Sequence, residues 1–170
     1  MKRFSLSKTL SAAALAVATL ALSACGFTPL YGPQSVTKGL SAIEVIAPPG
    51  RAGYLLREKL DDAFGRDIGV PPSHRLIYTV SEQRYPRGVR VDNVANRYEL
   101  NLTASWALMD SKTGQSVRTG TTTAAVTYDS ADQPYASIAA QGDSQERAAT
   151  ELARRIQLEL ASWLAGKAKA

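Results

Sequence analysis

The sequence holds one cysteine and one histidine in 170 residues. A single thiol cannot close an intramolecular disulfide, so this chain is not a disulfide-stapled scaffold. The lone His74, between Ser73 and Arg75, excludes any multi-histidine metal site and reads as a strand-edge surface residue rather than a catalytic base. Phosphate-cradling glycine loops, GxSxG, HExxH and paired-cysteine motifs are all missing. The carboxylates do not converge on a reaction centre either. Glu58, Asp61 and Asp62 fall on one solvated helix face, and Glu146, Glu151 and Glu159 fall on another. No enzyme, metal or dissociable cofactor is expected. The net charge of +5 is also less than it looks, because Lys2, Arg3 and Lys8 lie in a segment expected to be removed. Without them, 17 basic side chains face 15 acidic ones, a balance of +2 that gives no reason to expect a nucleic-acid partner.

What is present begins at the amino terminus. Lys2, Arg3 and Lys8 precede an apolar run from Leu10 to Leu22. That run is shorter than the roughly 20 residues a membrane-spanning helix needs, and it has the layout of an export signal. It ends in Leu22-Ser23-Ala24-Cys25, which resembles the lipobox of bacterial lipoproteins. The expectation is cleavage after residue 24, with the Cys25 sulfur taking a diacylglycerol and its new amino group a palmitoyl chain. Each buried methylene contributes about 0.8 kcal/mol, so several acyl chains hold a small domain on a membrane almost permanently. Gly26, rather than Asp, follows Cys25. By analogy with enterobacterial sorting, this favours the outer membrane.

The rest reads as one domain over 40–166, reached through a tether at 25–39 rich in Gly, Pro and Ser. Ile43 and Val45 mark a short strand over 41–47, ended by Pro48-Pro49-Gly50. Leu56, Leu60 and Phe64 recur at helical spacing over 52–64, with Gly65 placed to cap the end. A second alternating strand spans 74–85, a loop 86–93, and a third strand 96–109. In that third strand Tyr98, Leu100, Leu102, Ala104, Trp106 and Leu108 face one way, and Arg97, Glu99, Asn101, Thr103 and Ser105 the other. Asp110–Gly114 predicts a hairpin turn into a Thr- and Val-rich strand over 115–128. A closing helix spans 135–165, with Gly142-Asp143-Ser144 as an interruption or a fresh start. The order β-α-β-β-β-α predicts an α+β two-layer sandwich, its four-stranded sheet largely antiparallel with two helices on one face.

One charged feature rises above background. Arg84, Arg87, Arg90 and Arg97 cluster around the expected 86–93 loop, broken by Pro86, Gly88 and Asn93. Guanidinium forks bind phosphate bidentately, so the loop could meet a phosphorylated glycolipid. Equally, it could be a solvated basic loop partly neutralised by Glu82, Asp92 and Glu99.

Cys25 to Gly32, read as CGFTPLYG, resembles the CGFxPLYG start of the lipopolysaccharide-assembly lipoproteins of the LptE family. The likeness continues in Leu100–Trp106, Val126-Thr127-Tyr128 and Asp143–Leu164, so it covers essentially the whole mature chain in order. The resemblance implies a two-helix, four-stranded sandwich that plugs the lumen of an LptD-type outer-membrane β-barrel in a 1:1 complex. It also implies help in carrying lipopolysaccharide to the outer leaflet and direct contact with lipopolysaccharide. Under it, Arg84, Arg87, Arg90 and Arg97 become candidate contacts to lipid phosphates or to the barrel wall. The competing expectation is a free-standing periplasm-facing lipoprotein that binds a small ligand or peptidoglycan. A lipid-modifying hydrolase is the third, disfavoured by the missing nucleophile motifs.

Overall fold

The computed structural model describes residues 34–89, 95–130 and 133–167. Cys25, the leader before it and Arg90 lie outside them. The elements are α1 (Gln34–Ser41), β1 (Ile43–Ile46), α2 (Arg51–Phe64), β2 (His74–Val89), β3 (Ala95–Asp110), β4 (Ser116–Asp129) and α3 (Pro134–Lys167). The fold is α+β, with one four-stranded sheet in the order β1-β2-β3-β4. β2, β3 and β4 form an antiparallel meander, while β1 lies parallel to β2. The parallel pair requires a crossover, and α2 supplies it.

The period-two pattern of β3 sets the layers. Leu100, Leu102, Ala104, Trp106 and Leu108 are all buried on the helix side. They meet Leu76 and Tyr78 of β2, Ala124 and Tyr128 of β4, Leu56 and Leu60 of α2, and Leu152, Ile156 and Leu160 of α3 in one core. Tyr78 donates its hydroxyl to the Gly53 carbonyl of α2 at 2.9 Å, and burial pushes that phenol's pKa well up. On α2, Gly65 takes φ +59°, and the Gly65 and Arg66 N–H groups return to Asp62 and Asp61 at 3.2 Å each. This is the Schellman stop expected there. The β3–β4 turn is likewise as expected. The Asp110 carboxylate accepts the Lys112 and Thr113 N–H groups at 2.9 Å each, and Gly114 sits at φ +69°.

Three boundaries differ from expectation. Residues 34–41 are a helix of the fold rather than the end of a tether: Val36 and Leu40 are buried, and Gly39 closes on Leu164 of α3. Thus, among the described residues, three helices, not two, accompany the sheet. β2 runs on through Pro86 to Val89, where a loop is expected to begin at 86, with register shifts at Pro86/Gly88 and Gly88/Val89. Because β1 ends opposite Ile77, β2 is an edge strand beyond that point, and an edge tolerates a proline and a bulge. Finally, α3 is unbroken across Gly142-Asp143-Ser144. Ser144 is fully buried and donates its hydroxyl back to the Gln141 carbonyl at 2.7 Å.

The α1 correction carries an expected outcome. Leu40→Ala should destabilise the domain by about 2–4 kcal/mol, measured by chemical denaturation, as for any fully buried leucine. If residues 34–41 were a solvated tether, the same change would be silent.

Candidate functional site

Past the level of Val80 and its partner Ala104, the helix-side face of β2 turns from apolar to polar. Glu82 and Arg84 of β2 follow the apolar positions, and α3 answers with Gln145 and Gln141. Gln145 donates to both Glu82 oxygens at 3.1 and 2.9 Å and accepts from Arg51 of α2 at 3.2 Å. Arg84 donates to Gln141 at 3.1 Å and to the Tyr128 hydroxyl at 3.5 Å, with its guanidinium 6.0 Å from the centre of the Tyr98 ring. Tyr98 and Tyr128, cross-strand partners, stack at 5.7 Å. The bond to Tyr128 raises the already high pKa of Arg84, so the arginine is a fixed charge on an aromatic floor. The first turns of α3 add Tyr135 and Ile138, exposed at 89% and 68%.

The other face of the same tip carries Arg87 and Arg97. Arg87 forks onto Glu99 with bonds of 2.9 and 3.0 Å, and its guanidinium lies 5.9 Å from the Tyr85 ring centre. Arg97 pairs with Asp129 across β3–β4, its closer bond at 2.7 Å. Hydrogen bonding by these arginines holds the Glu99 and Asp129 carboxyls below the ordinary carboxylate range. The four arginines are therefore not one convergent loop. Arg84 belongs to the helix-side face, Arg87 and Arg97 to the opposite one, and Arg90 lies outside the described residues. Glu99 is a neutralising partner as expected; Asp129, distant in sequence, is a further one, legible only from the β3–β4 register. The tyrosines and Gln141 escape sequence reasoning for the same reason, since the long α3 and two strands bring them together. Both pairs reach solvent, which screens their attraction.

The outer face of the sheet is uncovered by any described element. It carries Thr79, Ser81, Thr103, Ser105, Thr119, Thr121 and Thr123, with Thr103 bonded to Thr123 at 3.0 Å and Ser105 to Thr121 at 3.3 Å. A shallow trough of about 510 Å³ crosses it between Ile77, Ala107 and Gly120. Charge is confined to its ends, so a flat polar partner could lie on it without burying an unpaired ion. Among the described residues no helix is long and apolar enough to cross a membrane, and no three His, Cys, Asp or Glu residues are grouped to hold a metal.

Comparison with known proteins bears on this arrangement. The sequence profile of the LptE family, described as lipopolysaccharide-assembly, matches residues 38–160. No curated protein matches. The structure is similar to that of a lipoprotein from Caulobacter crescentus CB15, 61% identical, with a TM-score of 0.69 over 78% of this chain and 96% of that one. It shares its fold with rare lipoprotein B from Shewanella oneidensis, 16% identical, with a TM-score of 0.55 over 73% of this chain and 95% of that one. It shares it also with lipoprotein B from Nitrosomonas europaea, 9% identical, with a TM-score of 0.55 over 72% and 83%. The profile match extends over the whole sheet, α2 and most of α3, and the chain belongs to the LptE family of lipopolysaccharide-assembly lipoproteins.

Proposed function

We propose that this lipopolysaccharide-assembly lipoprotein works from the outer membrane, anchored by acyl groups on Cys25 after loss of residues 1–24. In this reading the sheet domain seats in the lumen of an LptD-type β-barrel as a 1:1 complex and assists insertion of lipopolysaccharide into the outer leaflet. The role is non-catalytic. The family match over residues 38–160 carries the reading. Two physical features support it. A barrel lumen is polar, and the uncovered sheet face presents mainly hydroxyls, with Ile77 partly exposed among them and charge confined to its ends. The 16-residue strands β2 and β3 span about 50 Å at about 3.3 Å per residue, against about 40–45 Å for a bilayer with its headgroups. A domain tethered at the inner leaflet can therefore hold its arginine tip at the level of the outer one.

Arg84 on its tyrosine floor, with Arg87 and Arg97 behind it, offers guanidinium forks for lipid phosphates and exposed Tyr135 and Ile138 for the adjoining hydrocarbon. Arg90, close in sequence, is included as a contact. Extraction of the outer membrane in mild detergent and purification through this chain should yield an equimolar barrel of several hundred residues, with lipopolysaccharide bound. The double variant Arg84→Gln/Arg87→Gln should carry at least about tenfold less lipopolysaccharide, the loss of one or two charge-assisted bonds, while melting within a few degrees of wild type. Elution of the lipoprotein alone would support a free-standing ligand- or peptidoglycan-binding module instead. Unchanged lipopolysaccharide in the variant complex would leave the tip arginines with only their contacts inside the domain.

A further inference from the structure

The opposite end of the sheet holds an apolar element that neither the core nor the arginine tip explains. Between α2 and β2, residues 66–72 form a loop in which Ile68 is 90% exposed and Val70 45%. Mobility does not account for this exposure, because the loop is tied down. Arg66 donates to the carbonyls of Ser41 and Val70 at 3.2 Å each, and also to that of Asp67. The Asp67 N–H returns to Ser41 at 3.3 Å, the Asp67 carboxylate accepts the Gly69 N–H at 2.9 Å, and the Val70 N–H donates to Asp67 at 3.3 Å. A braced turn thus presents Ile68 almost wholly, and Val70 in part, to the outside.

Its surroundings identify what can cover it. Asp67 and Arg66 are bonded to Ser41, the last residue of α1, so the loop lies beside the point where the chain leaves that first helix for β1. From Cys25 to Gln34 the chain has nine steps, a reach of about 30 Å. The β3–β4 turn is at the same end, since the Ser111 N–H donates to Ser73 at 3.0 Å, and it carries the exposed Lys112. The carboxylate of that turn, Asp110, is engaged by the Lys112 and Thr113 N–H groups. The carboxyl end of α3 arrives there too: Trp163 packs edge-on against His74 at 5.7 Å, and Lys167 lies 4.8 Å from the Trp163 ring centre. Glu44, Asp61 and Asp62 line the α2 side of Ile68 together with Arg57 and Arg66, while Lys112, Lys167 and Trp163 lie elsewhere at the same end. An exposed aliphatic at an end that also carries lysines and a tryptophan suits the interfacial layer of a bilayer.

We propose that the 66–72 loop is a lipid-contact element. Ile68 and Val70 enter the headgroup–acyl boundary of the membrane that holds the amino terminus, while Lys112 and Lys167 meet lipid phosphates. The element rests on the acylated Cys25 reading and adds to it an orientation: this end of the sheet lies at the leaflet that holds the amino terminus, and the arginine tip is at the far end.

The test uses the purified mature lipoprotein reconstituted into vesicles containing anionic phospholipid. Ile68→Cys, and separately Tyr54→Cys about 15 Å along α2 from its loop end, are labelled with a polarity-sensitive fluorophore. The label at 68 should blue-shift and be quenched by lipid brominated at a depth of about 5–10 Å, and the label at 54 should report water. Lys112→Glu/Lys167→Glu should reduce the quenching at 68. Label stoichiometry reports the anchor independently, because acylation of Cys25 leaves one free thiol per labelled chain and an unmodified Cys25 leaves two. One label per chain with no quenching at 68 overturns the lipid-contact proposal and leaves the anchor intact. Two labels per chain overturn the anchor; quenching at 68 then shows the loop binding lipid unaided, and its absence removes both.

Discussion

Replacing Gly120 with valine is expected to cost about 3 kcal/mol and lower the melting temperature by roughly 10 °C. Gly120 lies in the middle of β4 with no positive φ, so backbone freedom does not explain a residue that weakens strands. Room explains it. Gly120 is the cross-strand partner of Trp106, and any β-carbon there would stand 2.4 Å from one atom of the indole and 2.7 Å from another. The indole cannot simply move. It is 3% exposed, and its N–H donates to Thr122 at 3.0 Å, whose own hydroxyl donates to Glu159 of α3 at 2.9 Å. Displacing it leaves a buried donor unpaired, which costs about 1–3 kcal/mol on top of the steric strain. Gly142→Ala is the matched control: a β-carbon there meets nothing closer than the Arg51 guanidinium at 3.9 Å. In the interior of α3 it should be neutral or stabilising by up to about 1 kcal/mol. Equal losses from both substitutions would contradict the packing account.

Cys25→Ala is expected to abolish acyl anchoring at the outer membrane. The proposed modification places three acyl chains on one residue. At about 0.8 kcal/mol per buried methylene each chain contributes on the order of 10 kcal/mol, so no protein contact at the 66–72 loop can replace them. Without a thiolate to accept diacylglycerol, the leader of residues 1–24 should stay attached, and mass spectrometry of the variant should find it. The wild-type protein should show a polypeptide beginning at Cys25 and heavier by its acyl groups. Surface lipopolysaccharide should fall with the variant as far as it does without the protein. A variant that fractionates and functions as wild type does would remove the role assigned to Cys25.

The parts of the fold legible in the sequence are those where one residue type repeats against one neighbour. The alternation of β3 gives its two faces, and Leu56, Leu60 and Phe64 give the buried stripe of α2. α1 was illegible because eight residues with only Val36 and Leu40 as anchors cannot form a helix alone; packing of Gly39 against Leu164 decides it. The extension of β2 past Pro86 was illegible because it depends on β1 being four residues long and leaving that edge open. The arginine tip was half legible. Its charge is local, but its tyrosine floor, its α3 partners and the Arg97–Asp129 pair are set by register over distances no motif covers.

The central claim is that this chain serves lipopolysaccharide assembly at the outer membrane. Depleting it from living cells and quantifying lipopolysaccharide exposed on the cell surface tests that claim most directly. The account predicts that surface lipopolysaccharide falls as the protein disappears, while newly made lipopolysaccharide accumulates on the periplasmic side. Undiminished delivery to the surface in fully depleted cells would contradict it.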